Sequence, residues 1–261
     1  MTTLTFAVRD SATMTRRSLR HVLRYPVTLV VSVGVPVLLL LLFVGVFGGA
    51  MKASLGAVSH GSYIDYVMPG IIVMTAAYGS SGTALAVNRD STEGIIGRFR
   101  TMAISPASVL NGHVVGALVR TLVSVALVIG VGIGLGFRST ADAGRWLAAA
   151  GLTALLVLAL TWLAVPFGLA AKTAEGLSGF ILIVQLLPFI SSAFVPPDQM
   201  SGAVRWFAAH QPFTPVIDTL RGLLTGTPDG RTALAAVAWC AGLALAGYLW
   251  ARVLSRRDLN R

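Results

Sequence analysis

Four small residues inside an apolar run, Gly79-Ser80-Ser81-Gly82, match the Gly-x-Ser-Gly pattern that can place a serine nucleophile on a membrane helix. Such chemistry needs a second residue, because a histidine on another helix must take the serine proton before the oxygen can attack an acyl carbon. His21, His60, His113 and His210 all fall in loops or at the boundaries of apolar runs. No base is placed for the serine, and the four residues read better as a site of close helix packing. An intramembrane serine hydrolase is kept only as an alternative.

Nucleotide chemistry needs a glycine loop ending in Lys and Ser or Thr. The only lysines are Lys52, after Met51, and Lys172, after Ala171, so neither can anchor a phosphate-cradling loop. ATP hydrolysis would have to come from another chain. Coupling to an ion gradient calls for carboxylates or histidines inside the membrane. All ten acidic residues lie instead in loops or at the ends of apolar runs. Arg120 is the one charge well inside a run; central burial would cost about 2.5 to 3.5 kcal/mol, which argues for a place near the cytoplasmic end, where the side chain can snorkel. An ion-coupled transporter or channel is the second alternative. With a single cysteine, Cys240, and no His-Glu-x-x-His motif, no metal site is expected.

The elements that hold these residues are apolar. Of 261 residues, 55% are hydrophobic and 11% charged, with a mean hydropathy of +0.79, whereas a soluble domain carries about 25% charged residues. A net charge of +10 could serve nucleic acid. The Lys and Arg residues sit between apolar runs, so membrane lipids are the expected surroundings and no nucleic-acid partner is expected. Six runs are long enough to cross a bilayer as helices: about 27–47, 67–87, 114–137, 146–171, 177–195 and 233–254. The fifth is the shortest and is broken by Pro188. Continuous rather than alternating hydrophobicity rules out a barrel. The expectation is an all-α integral membrane protein, one domain over 1–261, with the first run retained rather than cleaved as a leader.

Orientation follows the basic residues. Arg9, Arg16, Arg17, Arg20 and Arg24 precede the first run, Arg89, Arg98 and Arg100 follow the second, Lys172 follows the fourth, and Arg252, Arg256, Arg257 and Arg261 close the chain. The alternate loops are poorer or balanced by Asp198, Asp218 and Asp229. Both termini are therefore expected in the cytoplasm. Ala12, Thr15, Leu19, Val22 and Leu23 share one helical face, opposite Arg17, Arg20, His21 and Arg24, as in a helix lying at the membrane interface. In the stretch 88–112, Ile95, Ile96, Phe99 and Met102 recur with helical spacing, so a short helix is expected at the cytoplasmic face. On the outer side Val204 and Phe207, then Val216, Ile217, Leu220 and Leu224, mark two short helices among prolines that dip into the outer leaflet. The stripe Gly130, Gly132, Gly134 and Gly136 permits close helix approach on two faces, within the subunit or across a dimer seam.

The loop Asp90-Ser91-Thr92-Glu93-Gly94-Ile95-Ile96-Gly97-Arg98-Phe99-Arg100-Thr101-Met102 resembles the signature loop of daunorubicin-resistance-type permeases, a branch of the type-2 ABC exporters. Similarity extends to Tyr63 through Pro69-Gly70 and to Phe194-Val195-Pro196-Pro197 with Met200, Trp206, Phe207, Pro212, Arg221 and Gly226. The resemblance implies a permease for export or efflux of drugs, antibiotics or lipid-like molecules. It also implies a second permease, identical or homologous, and two copies of a cytoplasmic ABC ATPase that bind the ATP and Mg; no cofactor is expected on this chain. By the same resemblance Asp90, Glu93, Gly94, Arg98, Phe99 and Arg100 form the coupling helix that docks on the ATPase. Pro196, Pro197, Met200, Trp206, Pro212 and Arg221 belong to the re-entrant outer gate. Phe43, Phe47, Met74, Tyr78, Phe189 and Phe194 are candidates for the substrate path. Two departures stand out: Ala103-Ile104-Ser105-Pro106-Ala107 replaces the family's usual Leu-Pro step followed by an Arg, and Gly116 and Ala117 stand where an acidic residue is often found.

Overall fold

The computed structural model describes residues 26–49, 62–93 and 106–257, and every regular element among them is helical. The interfacial pattern at 12–24 and the loop residues Gly94, Arg98, Phe99 and Arg100 lie outside the described residues. Eight α-helices follow one another: α1 Pro26–Leu42, α2 Tyr63–Thr92, α3 Pro106–Gly134, α4 Ala143–Ala170, α5 Ser178–Leu186, α6 Gly202–His210, α7 Phe213–Thr225 and α8 Gly230–Arg257. Four of them carry stretches long and apolar enough to cross a membrane: Tyr63–Thr92, Leu110–Gly134, Ala143–Ala170 and Gly230–Leu254. Residues 175–190 form a shorter apolar helix, which tightens into a 3-10 turn at Leu187–Ile190, where Pro188 removes a backbone donor. α1 runs into a wider π turn at Phe43–Phe47.

Local chemistry sets the ends. α2 starts with a capping box, the Ser62 side chain meeting the Asp65 amide while the Ser62 N–H donates to Asp65 Oδ2 at 3.0 Å. Asp142 Oδ1 accepts from the Arg145 amide at 2.8 Å and opens α4. Asp229 does the same for α8, accepting from the Thr232 amide at 2.9 Å. α7 stops at Gly226, whose φ of 88° is left-handed backbone that glycine adopts without a Cβ penalty.

Packing is centred on α2, which touches α1, α3, α4, α5 and α7 and has most of its apolar stretch enclosed. Val67, Met68, Ile71, Val73, Ala76, Ala77 and Ala84 are fully buried in the main core with Leu156, Val157 and Leu160 of α4 and Ile217 and Leu220 of α7. Small residues set the crossings. A Cβ on Gly79 would collide with the Thr121 side chain of α3, and one on Gly168 of α4 would lie 2.7 Å from the Ala84 carbonyl oxygen. α8 lies outermost, most of its stretch facing outward, and presses Gly247 against the Trp162 backbone of α4, where a Cβ would approach to 2.6 Å. Of the glycine stripe on α3, Gly132 receives the Met68 side chain within the subunit, while Gly130 and Gly134 have no neighbour within 4 Å of an added Cβ.

Candidate functional site

The Gly79-Ser80-Ser81-Gly82 motif is built as a packing element. Ser80 and Ser81 both donate to the Ala77 carbonyl, at 2.7 and 3.2 Å, which is the local bond a buried helical serine makes in place of water. His113 meets Asp90 at 3.0 Å and His210 meets the Trp206 carbonyl at 2.7 Å.

A polar cluster at the N-terminal end of α2 ties three segments together. Arg221, on the inward side of α7, donates to Asp218 Oδ1 at 2.5 Å and to the Ser192 carbonyl at 2.6 Å, with a longer contact of 3.3 Å to the Tyr66 carbonyl. Its guanidinium lies 4.0 Å over the Tyr66 ring. Tyr66 in turn donates its hydroxyl to the Ser192 carbonyl at 3.1 Å, and Ser192 Oγ donates to Asp218 Oδ1 at 2.7 Å. Each charge is thus held by several bonds, as a partly enclosed ion pair requires. The Ser191–Phe194 turn after α5 can come this close because Gly70 has no side chain: a Cβ there would sit 2.6 Å from the Ala193 Cβ. Gln211 adds a bond from α7's leading edge to the Ile190 carbonyl at 2.6 Å. Ser139 Oγ and the Thr140 amide, in the α3–α4 loop, both donate to the Leu224 carbonyl at α7's end, at 2.8 and 3.1 Å.

Other residues of the segment 196–212 have plainer places. Pro196 and Pro197 make a tight turn whose carbonyls accept from the Gln199 and Met200 amides. Pro212 stands at the start of α7. Trp206 is exposed on α6 and stacks on His210. Arg205 pairs with Asp198 at 2.6 Å, on the surface. Of the outer-gate candidates, Arg221 alone enters the polar cluster; Tyr66, Ser192 and Asp218 join it without having been singled out. The readable signal was Asp218 and Arg221 one turn apart among Val216, Ile217, Leu220 and Leu224.

The path candidates divide. Phe194 stacks on Phe43 with centroids 3.9 Å apart and on Phe189 at 5.4 Å, so the π turn after α1 and the end of α5 meet through aromatic faces. Met74 is enclosed between helices, and Tyr78 is half-buried. Phe47 lies in the π turn, its side chain outside the described residues. At the other end of α2, Asn88 Nδ2 donates to the Gly168 and Ala171 carbonyls at 3.2 and 2.6 Å, closing the last turn of α4. Asp90, through His113, fixes α2 to the first turns of α3. Glu93 is exposed at the end of α2.

An all-helical chain with several long apolar helices, their ends joined by short helices and polar ties, is a multi-pass membrane protein. Residues 10–225 match the family described as ABC-2 type transporter, and the chain belongs to that family. It is similar to the daunorubicin resistance ABC transporter permease protein DrrB1 of Streptomyces coeruleorubidus, with 31% identity over 227 residues that cover 85% of this chain and 77% of the relative. It is also similar to the probable doxorubicin resistance ABC transporter permease protein DrrC of Mycobacterium tuberculosis, at 25% over 236 residues, 90% of this chain and 84% of that one. A third relative is the putative transport permease ycf38 of Cyanophora paradoxa, at 26% over 226 residues, 84% and 75%. The chain is the permease component of an ABC exporter, and membership brings with it partnership with an ABC ATPase subunit.

Proposed function

We propose that this permease exports amphipathic drugs, antibiotics or lipid-like molecules, using ATP that two copies of a separate cytoplasmic ABC ATPase bind with Mg and hydrolyse. The chain has no phosphate loop of its own and pairs with a second permease, identical or homologous. It forms a single domain of six spans with both termini in the cytoplasm, in which α1 and the broken α5 supply the two crossings beyond the four long helices. Arg98, Phe99 and Arg100, flanked by Asp90, Glu93 and Gly94, form the helix that docks on the ATPase.

One observation carries this reading: the α6–α7 pair is tied by Arg221 and Gln211 across the outer end of α2 and the end of α5. Short helices fastened by polar bonds over the ends of longer ones have the build of an outer closure, since such bonds can be exchanged during a cycle more easily than a packed apolar core. The cargo class follows from relatives whose names carry daunorubicin and doxorubicin resistance, and the apolar aromatic contact of Phe43, Phe189 and Phe194 suits planar amphiphiles.

The test is transport in vesicles that hold the permease with its ATPase subunit. Uptake of a fluorescent amphiphile should require ATP and both subunits. ATP hydrolysis by the permease alone, or uptake driven by a proton gradient without ATP, would overturn the proposal. Cysteines at Ser11, Gln199 and Asn260 in a Cys240→Ala background report orientation; only the middle one should label from outside intact cells.

A further inference from the structure

α2 is flanked by α3 on the side of Gly79, which meets Thr121, and by α5 on the side of Ser81, whose hydroxyl accepts from Gln185 Nε2 at 3.3 Å. At about 100° per residue the face between them carries Tyr78, Gly82 and Leu85. No helix among the described residues covers that face: Leu85 is exposed, and Tyr78 and Gly82 are only half-buried. It is the floor of a groove with α3 and α5 as walls. Into it reaches Arg120, whose Nη2 would stand 3.5 Å from a Cβ on Gly82.

Arg120 has no carboxylate partner among the described residues, whose ion pairs are Asp90–His113, Asp198–Arg205 and Asp218–Arg221. The acidic residues of the apolar helices, Asp65, Asp90 and Glu175, lie at their ends, so an identical second permease brings no carboxylate from the middle of its spans either. The guanidinium also lies well within α2's length rather than at its end. Gly82 precedes Asp90 on α2 by about 12 Å of helix, so the charge sits well outward of the His113–Asp90 pair. A cation held at that depth is costly and is retained where it meets an opposite charge. The groove floor continues inward to the exposed Arg89, a second cation at its mouth. Outward, Leu127 on α3 and Leu186 on α5 present exposed apolar surface to a chain lying above the charge.

We propose that this groove binds the anionic group, phosphate or carboxylate, of an amphiphile, with Arg120 as the bidentate partner and the Ser81–Gln185 pair as polar wall opposite. The apolar body lies outward along α3 and α5. This deepens the export reading by giving the inner half of the path a charge preference, yet it is tested without ATP or the ATPase, so either can fail alone.

The experiment is native mass spectrometry of the intact permease titrated with tetradecyl phosphate or tetradecyltrimethylammonium. The wild type and Arg120→Lys should retain the phosphate at about a tenfold lower concentration than the cation, the value of one charge-assisted contact. Arg120→Gln and Gly82→Leu should lose that preference. The Leu variant fills the groove while leaving the charge, so the result stands even where Arg120→Gln folds poorly. Competition separates the sources. Displacement of tetradecyl phosphate by phosphatidylglycerol but not phosphatidylcholine identifies a lipid headgroup, and resistance to both identifies anionic cargo. Equal retention of the two probes by the wild type, or a preference that survives Arg120→Gln, overturns the proposal.

Discussion

Replacing Arg221 by Gln removes the centre of the polar cluster while keeping a polar side chain of similar length. The substitution loses the ionic bond to Asp218, the 2.6 Å bond to the Ser192 carbonyl and the stacking on Tyr66. The Asp218 bond counts for less than a buried pair would, because that side chain is 36% exposed and keeps the Ser192 hydroxyl. The Ser192 carbonyl likewise keeps the Tyr66 hydroxyl. Allowing about 1 kcal/mol for each of the three lost contacts gives a total of roughly 2 to 3 kcal/mol. In a chain of this length that lowers the melting temperature by about 5 to 10 °C. The assay is thermal unfolding of the purified permease followed by monodisperse recovery. A cycle with Asp218→Asn isolates the ion pair, expected to couple by about 1 kcal/mol. Melting unchanged within 1 to 2 °C would refute the claim that Arg221 holds α7 to α2, and strictly additive single and double variants would refute the contribution of the ion pair.

Three further outcomes are expected. Phe99→Ala with Arg98→Glu and Arg100→Glu should cut co-purification of the ATPase subunit at least tenfold, an aromatic anchor being worth about 2 kcal/mol, at equal membrane expression; undiminished recovery and transport would reduce the loop to a charged connector. Gly70→Ala should destabilise by about 1 to 3 kcal/mol because its Cβ would overlap Ala193, while Gly134→Ala, with open space around it, should be near neutral in the same melting assay. The Asp229 carboxyl is held below its ordinary value, first by the Thr232 hydroxyl and amide and then by the Arg231 amide. A lowered folded value means its cap is complete above the usual aspartate range and lost as pH falls through the folded value. Hydrogen exchange at the Thr232 amide, corrected for intrinsic rate, should therefore lose protection on acidification in the wild type and be insensitive in Asp229→Asn.

The long helices were legible because a span must be apolar over its whole length, and α2, α4 and α8 begin within a few residues of the expected starts. Helix ends were less so. α2 opens at Tyr63 rather than near Val67 because Ser62 and Asp65 cap it, a signal that hydropathy ignores. Phe137 was counted in a span that ends at Gly134; it is buried beyond a glycine turn, with φ of 104° at Gly136. The short helices α6 and α7 were readable from Val204 and Phe207 and from the Val216 to Leu224 spacing. The polar cluster was not, because Tyr66, Ser192 and Arg221 are far apart in the chain and their partners are mostly carbonyl oxygens, which every residue has. The surroundings of Arg120 were illegible for a related reason. Composition alone favoured an inner-rim position, whereas the opening that receives its guanidinium is made by a missing side chain on another helix.

α2 spans about 45 Å as one continuous helix from Tyr63 to Thr92. Tyr66 meets the α7 tie near one end, and Asn88 and Asp90 engage α4 and α3 near the other. Such a rod works as a lever. A pivot of only about 5° at the Asn88–Asp90 end would carry Tyr66 sideways by roughly 3 Å, several times the slack in a hydrogen bond. Either α7 rides with the rod or Arg221 lets go; the two ends cannot shift independently. Spin labels on Gln199 and Arg89, with distances compared in nucleotide-free and ATP-trapped complexes, would show whether α6 and α7 travel as passengers or are released.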